Sequence, residues 1–426
     1  MKNKFYSLLA YSVVFLVSCE KDPEVIYETI TVTETVTETV EVQPATPETE
    51  TVGGGGIYFI DDPQTWTNDR IWIMNGKVVV RDGGTLTIEA GTIIKAEDGQ
   101  GVDATALVIA KGGNIVADGT AESPIVFTDK ADELSYSNED RISPNRVSTD
   151  TGKWGGVIIL GQATVGEDGG EDTIEGIATG YDWTMYGGSS DTESSGTLNY
   201  VSIRHSGTAL GNGDEIQGLT LGVGSGTTIT NIEVVGSDDD GIEIFGGTVN
   251  VTNLTIWAQS DDAVDLDEGY AGTIDNVAVQ MKASGDNIFE IDGTEDSTDE
   301  RDGQFTVKNV TFIGVDGNTE KTDQLGHWKS DATGTTENVL YTTMDGQTIE
   351  GIDSDTYDAS ATENAVNKLI FKNFQFATTS TLASILANTS STTGDAPGWA
   401  SVVSTGTVGA DTSVMSWTIW YKLTQQ

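Results

Sequence analysis

Short runs of alternating apolar and polar residues fill the chain from Ile57 onward, separated by glycine, asparagine and aspartate. A period of two is the pattern of a strand with one buried and one outer face, and no helical period competes with it. In the second half six such runs open on asparagine. They are Asn231 (Asn-Ile-Glu-Val), Asn253 (Asn-Leu-Thr-Ile), Asn276 (Asn-Val-Ala-Val), Asn309 (Asn-Val-Thr-Phe), Asn338 (Asn-Val-Leu-Tyr) and Asn373 (Asn-Phe-Gln-Phe). Successive asparagines stand 22, 23, 33, 29 and 35 residues apart. A unit that lengthens only by insertion predicts a solenoid, with one coil per repeat and the added residues leaving as loops. An asparagine buried at the same corner of every coil bonds its amide up and down the stack and to local backbone. The expected fold is all-β: a single-stranded right-handed parallel β-helix.

The first half carries the same signal in another form. Arg81-Asp82-Gly83-Gly84-Thr85-Leu86-Thr87-Ile88 is echoed 29 residues later from Lys111 to Asp118, and Val78-Val79-Val80 maps onto Leu107-Val108-Ile109. Gly155 to Gly161 reads as a third copy after a polar insertion at 129–152. Further insertions are expected near 166–196, 293–304, 315–336, 345–366 and 379–398. Length alone suggests two or three globular domains, but the repeats favour one rod of roughly ten coils. Open ends of such a rod invite strand pairing and need covers. Residues 57–76, with Trp66 and Trp72, and residues 399–421, with Trp399, Trp417, Trp420 and Tyr421, are the expected caps.

The N-terminal segment has a different character. Met-Lys-Asn-Lys precedes an apolar stretch from Phe5 to Val17 and the sequence Leu16-Val17-Ser18-Cys19. A basic start, an apolar run too short to span a bilayer comfortably and small residues at its end describe an export signal. Leu-Val-Ser-Cys resembles the lipobox of bacterial lipoproteins, which implies cleavage after residue 18 and acylation of Cys19, the only cysteine of the chain. An ordinary secretory signal is the alternative. Residues 19–56 then read as a tether: a Thr/Glu/Val repeat from Val25 to Val42, a Pro-rich stretch, and Gly53 to Gly56 as a flexible joint. The expected division is signal peptide 1–18, tether 19–56 and capped β-helix 57–426.

Charge narrows the partners. With 67 acidic and 21 basic residues the formal charge is −46, and loss of Lys2 and Lys4 with the signal makes it −46 − 2 = −48. Such a chain repels nucleic acid and anionic lipid, and favours divalent cations.

Thr85-Leu86-Thr87-Ile88-Glu89-Ala90-Gly91-Thr92, the Trp154-Gly155-Gly156 strand, Tyr200 to Gly207 and Asp239 to Gly247 resemble a Bacteroidota family of secreted or lipid-anchored right-handed β-helix proteins. Glu20-Lys21-Asp22 resembles the charged tag that sends lipoproteins of those bacteria to the cell surface. The resemblance covers nearly everything after Ile57 and implies fold and an outer-membrane, outward-facing location. It brings no established activity with it.

The strongest candidate chemistry is acidic. Asp239-Asp240-Gly241-Ile242-Glu243-Ile244-Phe245 aligns with Asp261-Asp262-Ala263-Val264-Asp265-Leu266-Asp267, and this with Asp286-Asn287-Ile288-Phe289-Glu290-Ile291-Asp292. If the aliphatic positions point inward, Glu243, Asp265 and Glu290 form one outward column. Asp267 and Asp292 form a second, and Asp239, Asp261 and Asp286 a third. Like charges about 4.8 Å apart repel by about 1 kcal/mol in water and by roughly 3–4 kcal/mol at an effective dielectric of 20. Lys282 and Arg301 are the only bases nearby in sequence. Ca²⁺, which takes six to eight oxygens in flexible geometry, is the expected counterion; a solvated acidic face is the alternative. With His205 and His327 the only histidines, zinc is a poor match. No EF-hand or calcium-roll spacing is present.

Two functions follow. One is a surface-anchored, Ca²⁺-binding rod that captures extracellular polysaccharide, adheres to surface proteins or serves as scaffold. The other is an enzyme acting on an acidic glycan. Asp261-Asp262-Ala263-Val264-Asp265 resembles the paired-Asp strand of polygalacturonases, but that family's Gly-His-Gly and Arg-x-Lys segments are missing. A lyase would need a base such as Arg204, Lys282, Arg301 or Lys329. Arg204-His205 is expected to be an exposed pair or a loop anchor.

Overall fold

The computed structural model describes residues 48–177, 180–209, 215–294, 303–315, 325–342, 368–386 and 398–425. The expected signal peptide, Cys19, most of the tether and Arg301 lie outside the described residues. The rest is a right-handed parallel β-helix in which 23 strands share one continuous ladder system.

Three faces wrap the core. The first runs through Ala106–Ile109, Val157–Leu160, Leu219–Gly222, Ile242–Phe245, Val264–Asp267, Phe289–Asp292 and His327–Lys329, each paired in parallel with the next. The second and third faces are the two halves of long bent strands such as Thr228–Val235, Asn250–Trp257, Thr273–Met281 and Gly334–Tyr341. Inward Val, Ile, Leu and Phe side chains from all three faces form one continuous apolar core.

The bend in each long strand is the asparagine corner. All six asparagines have left-handed backbones, with φ between 52° and 68°, a region in which asparagine is among the few tolerated side chains. Asn231 donates to Asn199, Asn253 to Asn231, Asn276 to Asn253, Asn338 to Asn309 and Asn373 to Asn338, at 2.7–3.1 Å. One rung is diverted: Asn309 donates to Asp275. The corners are half-buried, and Asn373 is exposed, so the expectation of a buried ladder is corrected. Backbone conformation, with the amide stack added to it, accounts for asparagine here.

Both ends differ from expectation. Glu48–Ile60 is already a strand of the first coil, parallel to Arg70–Val80, with a register shift between Gly53 and Gly56. Gly53 to Gly56 therefore form a bulge in a paired strand, and Gly53 and Gly55 supply its left-handed φ of 88° and 85°. Trp66 and Trp72 stack inside the core with centroids 5.4 Å apart. At the other end Trp399 packs on Phe371 and Phe374 and does close the core.

Residues 404–425 turn back as a strap along the third face. Ala410 N–H donates to Thr311, Asp411 N–H to Asn276 Oδ1, Trp420 N–H to Glu233, and Lys422 Nζ to the Asp140 carbonyl. The strap buries Met415, Ile419 and Trp420 against Val235, Trp257 and Ala278, outer residues of that face that would otherwise meet water. It also contains a short helix, Ile419–Thr424, capped by the Thr418 hydroxyl, where only strands were expected.

The insertions also act as covers. Arg204 and His205, expected as exposed or anchoring, are both buried and anchor the 129–152 insertion. Arg204 donates to the Arg141 carbonyl at 2.6 Å, and His205 Nδ1 lies 2.7 Å from the Asp150 carbonyl. Arg204 is further held by Ser202 and by Glu233. On the first face, Val165, Ile174, Ile177, Trp183 and Tyr186 pack over Val79, Val108, Ile158, Leu160 and Phe245.

Candidate cation-binding site

Three successive strands of the first face build the acidic site. Register pairs Glu243 with Asp265 and Asp265 with Glu290, while Val264, Leu266, Phe289 and Ile291 enter the core. The three carboxylates thus share one outward column. Outward is not exposed, however: Glu243 is buried, and Asp265 and Glu290 are half-buried. Gln217 bridges Glu175 and Glu243 over the column.

Sequence reading missed the second aspartate of each turn. Asp240 and Asp262 are both buried. The Asp240 carboxylate accepts the N–H of Asp262, and the Asp262 carboxylate that of Asn287, one coil on. The doubled Asp239-Asp240 and Asp261-Asp262, followed by Asp286-Asn287, was the available signal. These side chains lie at the turn, where strand alternation no longer says which way they point.

The carboxylates converge in overlapping triads: Asp239 with Asp240 and Asp261; Asp240 with Glu243 and Asp265; Asp261 with Asp262 and Asp286; and Asp262 with Asp265 and Glu290. In each triad one oxygen per residue lies within 4.8 Å of the others. Of the eight predicted ligands, Asp239, Glu243, Asp261, Asp265, Asp286 and Glu290 come together this way. Asp267 and Asp292 fall outside the triads, beside the column, and Asp292 pairs with Lys329 at 3.1 Å.

Protonation reflects this crowding. Burial first, then neighbouring carboxylates, push Asp239 up to about 8 and Asp261 up to about 6. Asp262 is pushed up to about 10 by burial and by its hydrogen bond with Glu290. Asp240, Glu243 and Asp265 are raised well above the ordinary carboxylate range by burial and then by neighbouring carboxylates. Glu290 is the exception: despite its burial it is lowered, by hydrogen bonds to Asp262 and Lys329. One oxygen of Asp265, Oδ1, is buried with no hydrogen-bond partner, which costs roughly 1–3 kcal/mol unless something binds it.

The bases are elsewhere. Lys282 donates to Ser260, and Arg204 sits in its own network on the third face. Among the described residues, Lys329, supplied by the next coil, is the base that reaches the site, where it pairs with Glu290 and Asp292 at the C-terminal edge.

A family model described as "Pectate-lyase like beta helix domain" matches residues 59–421. Two solved structures of pectin methylesterase from Aspergillus niger are similar. The deglycosylated form is 12% identical with a TM-score of 0.31, covering 80% of this chain and 87% of that one. The penultimately deglycosylated form is 14% identical with a TM-score of 0.30, covering 81% and 88%. No curated protein matches the chain.

Proposed function

The chain belongs to the pectate-lyase like beta helix domain family, and we propose that it is a Ca²⁺-binding β-helix of the cell surface that engages extracellular glycans. One observation carries the cation reading: within each of four linked carboxylate triads the oxygens lie within 4.8 Å of one another, and the central Asp265 has a buried oxygen with no partner. Two oxygens on one Ca²⁺ at about 2.3–2.6 Å span up to about 5 Å, so each triad fits one ion shell. The buried donors are hard oxygens, which suits Ca²⁺ and not a softer metal.

Removing Ca²⁺ leaves these groups two costly states: protonated carboxyls, or uncompensated charges in a buried column. The ion therefore stabilises the coils from Asp239 to Asp292. The N-terminal Leu-Val-Ser-Cys supports acylation at Cys19, and Glu20-Lys21-Asp22 after it supports an outer-membrane location facing outward. A rigid rod held off a membrane suits adhesion or glycan capture, and the net charge of −46 makes nucleic acid a poor partner.

A second reading has its own observation. Asp262 holds its proton up to about 10, whereas Lys329 helps keep the adjoining Glu290 ionised. Glycoside hydrolysis uses one protonated and one ionised carboxyl about 5–9.5 Å apart across the scissile bond, so the hydrogen-bonded Asp262–Glu290 pair would have to part to admit a sugar. In this reading the chain cleaves an acidic glycan.

The test is melting of the purified chain with Ca²⁺ and with chelator. The parent gains stability with Ca²⁺ and loses it with chelator, and Asp265→Asn combined with Glu290→Gln removes most of the shift. An unchanged shift in the double variant contradicts the site. Reducing-end or unsaturated products from pectate, alginate or sulfated glycans would favour the enzymatic reading; retained binding without products favours capture.

A further inference from the structure

Glu268 follows the acidic strand Val264–Asp267 with a left-handed φ of 50°. It belongs to none of the triads described above, and the residue is 5% exposed. The Tyr186 hydroxyl donates to Oε1, and Oε2 is buried without a hydrogen-bond partner.

The insertion on the first face brings two more carboxylates to this one. Gly166 N–H donates to the Glu268 carbonyl at 2.9 Å, which sets Glu167 over Glu268. A side chain at Gly166 would come within 2.8 Å of that carbonyl, so the approach requires glycine. The hairpin formed by Glu171–Thr173 and Met185–Gly187 pairs Asp172 with Tyr186. Residues directly opposite in such a pair project to the same side, and Tyr186 has already been placed on Glu268. Carboxylate oxygens of Glu167, Asp172 and Glu268 consequently lie within 4.8 Å of one another. Lys111, the base that reaches the hairpin, is engaged by Glu171.

We propose that Glu167, Asp172 and the unpartnered Glu268 oxygen bind a second Ca²⁺, separate from the acidic column, that clasps the hairpin of Glu171–Thr173 and Met185–Gly187 to the solenoid. The donor set is three hard oxygens spaced for one Ca²⁺ shell, with water and backbone carbonyls completing the six to eight ligands. Two ligands come from the insertion and one from the coil, so ion binding and closure of the cover are one event. Because the insertion also covers Val108, Ile158 and Phe245, the clasp holds down the cover of the first face.

Amide hydrogen exchange of the full chain, with Ca²⁺ and with chelator, tests this. At a Ca²⁺ concentration about ten times the dissociation constant, exchange in 166–177 and 180–188 slows about tenfold, because opening the hairpin breaks the site. Asp172→Asn, at an exposed position that does not threaten folding, and Glu268→Gln lose this slowing while residues 286–292 keep theirs. A hairpin whose exchange ignores Ca²⁺, or an Asp172→Asn chain that responds like the parent, overturns the clasp. If the hairpin responds while 239–245 and 286–292 do not, the clasp stands and the acidic-column reading falls.

Discussion

Phe59, Val79, Val108, Ile158, Thr220, Glu243, Asp265, Glu290 and His327 occupy one column of outward positions on the first face, each in register with the next. Backbone geometry and spacing are the same throughout, but the chemistry inverts at Thr220. Before it Val79, Val108 and Ile158 are aliphatic and covered by Trp183, Ile174 and their neighbours, with Phe59 exposed at the open end; after it come the three carboxylates and then His327. The solenoid determines where a side chain points, and the insertions determine what it meets there. A cover over apolar groups is stabilising by itself, at about 25 cal/mol per Å² buried. Carboxylates withdrawn from water need a proton or a cation.

The sharpest way to break the comparison is to move the acid. Ile158→Asp places an unpaired charge among the apolar side chains of Val79, Val108 and Trp183. Urea unfolding is expected to show a loss of about 4 kcal/mol or more, and Ca²⁺ is not expected to restore it. Restoration by Ca²⁺ would mean that position in the column does not separate the two halves. Next in size, Trp183→Ala thins the apolar cover and costs about 3 kcal/mol. The cation response of the coils from Asp239 to Asp292 persists in that variant; its disappearance would show that the halves are one unit.

The acidic half has its own pH signature. Unfolded, its aspartates titrate near 3.8; folded, Asp261 titrates at about 6, Asp239 at about 8 and Asp262 at about 10. The folded chain binds more protons, so stability falls as pH rises. In chelator this contribution is complete below about pH 4 and is lost progressively as pH climbs through the folded values. Saturating Ca²⁺ flattens the profile because the ion replaces the protons. Melting curves in chelator that rise from pH 5 to pH 9 would contradict the assignment.

The smallest expected effect concerns the frame both halves share. Asn253→Ala removes a ladder rung and forces alanine into φ of 59°, at about 1–2 kcal/mol. Asn253→Gly keeps the conformation and costs less. Equal losses in urea unfolding would leave the amide stack, and not the backbone, as the reason for asparagine.

Much of the frame is legible from local pattern. The corners and the 22-residue offset are clear because few insertions separate Asn231, Asn253 and Asn276, and the column of Glu243, Asp265 and Glu290 follows from alternation. What stays hidden depends on distant chain. Lys329 reaches Glu290 only after the coil passes an insertion. Trp420 meets Glu233 across 187 residues, so the strap leaves no local trace. Asp240 and Asp262 sit at turns, and Glu268 lies one residue past the strand in a backbone region that pattern does not announce. The glycine run before Ile57 is ambiguous for a related reason: flexible joints and paired bulges use the same residues.

Proton release on Ca²⁺ binding tests the central claim most directly. Calorimetric titration of Ca²⁺ into the chelated chain at pH 7, repeated in buffers of different ionisation enthalpy, counts the protons displaced. Asp239 and Asp262 hold protons at that pH, so at least one proton per chain is expected to leave as Ca²⁺ enters. Heat that is independent of buffer, or no binding, would contradict the account.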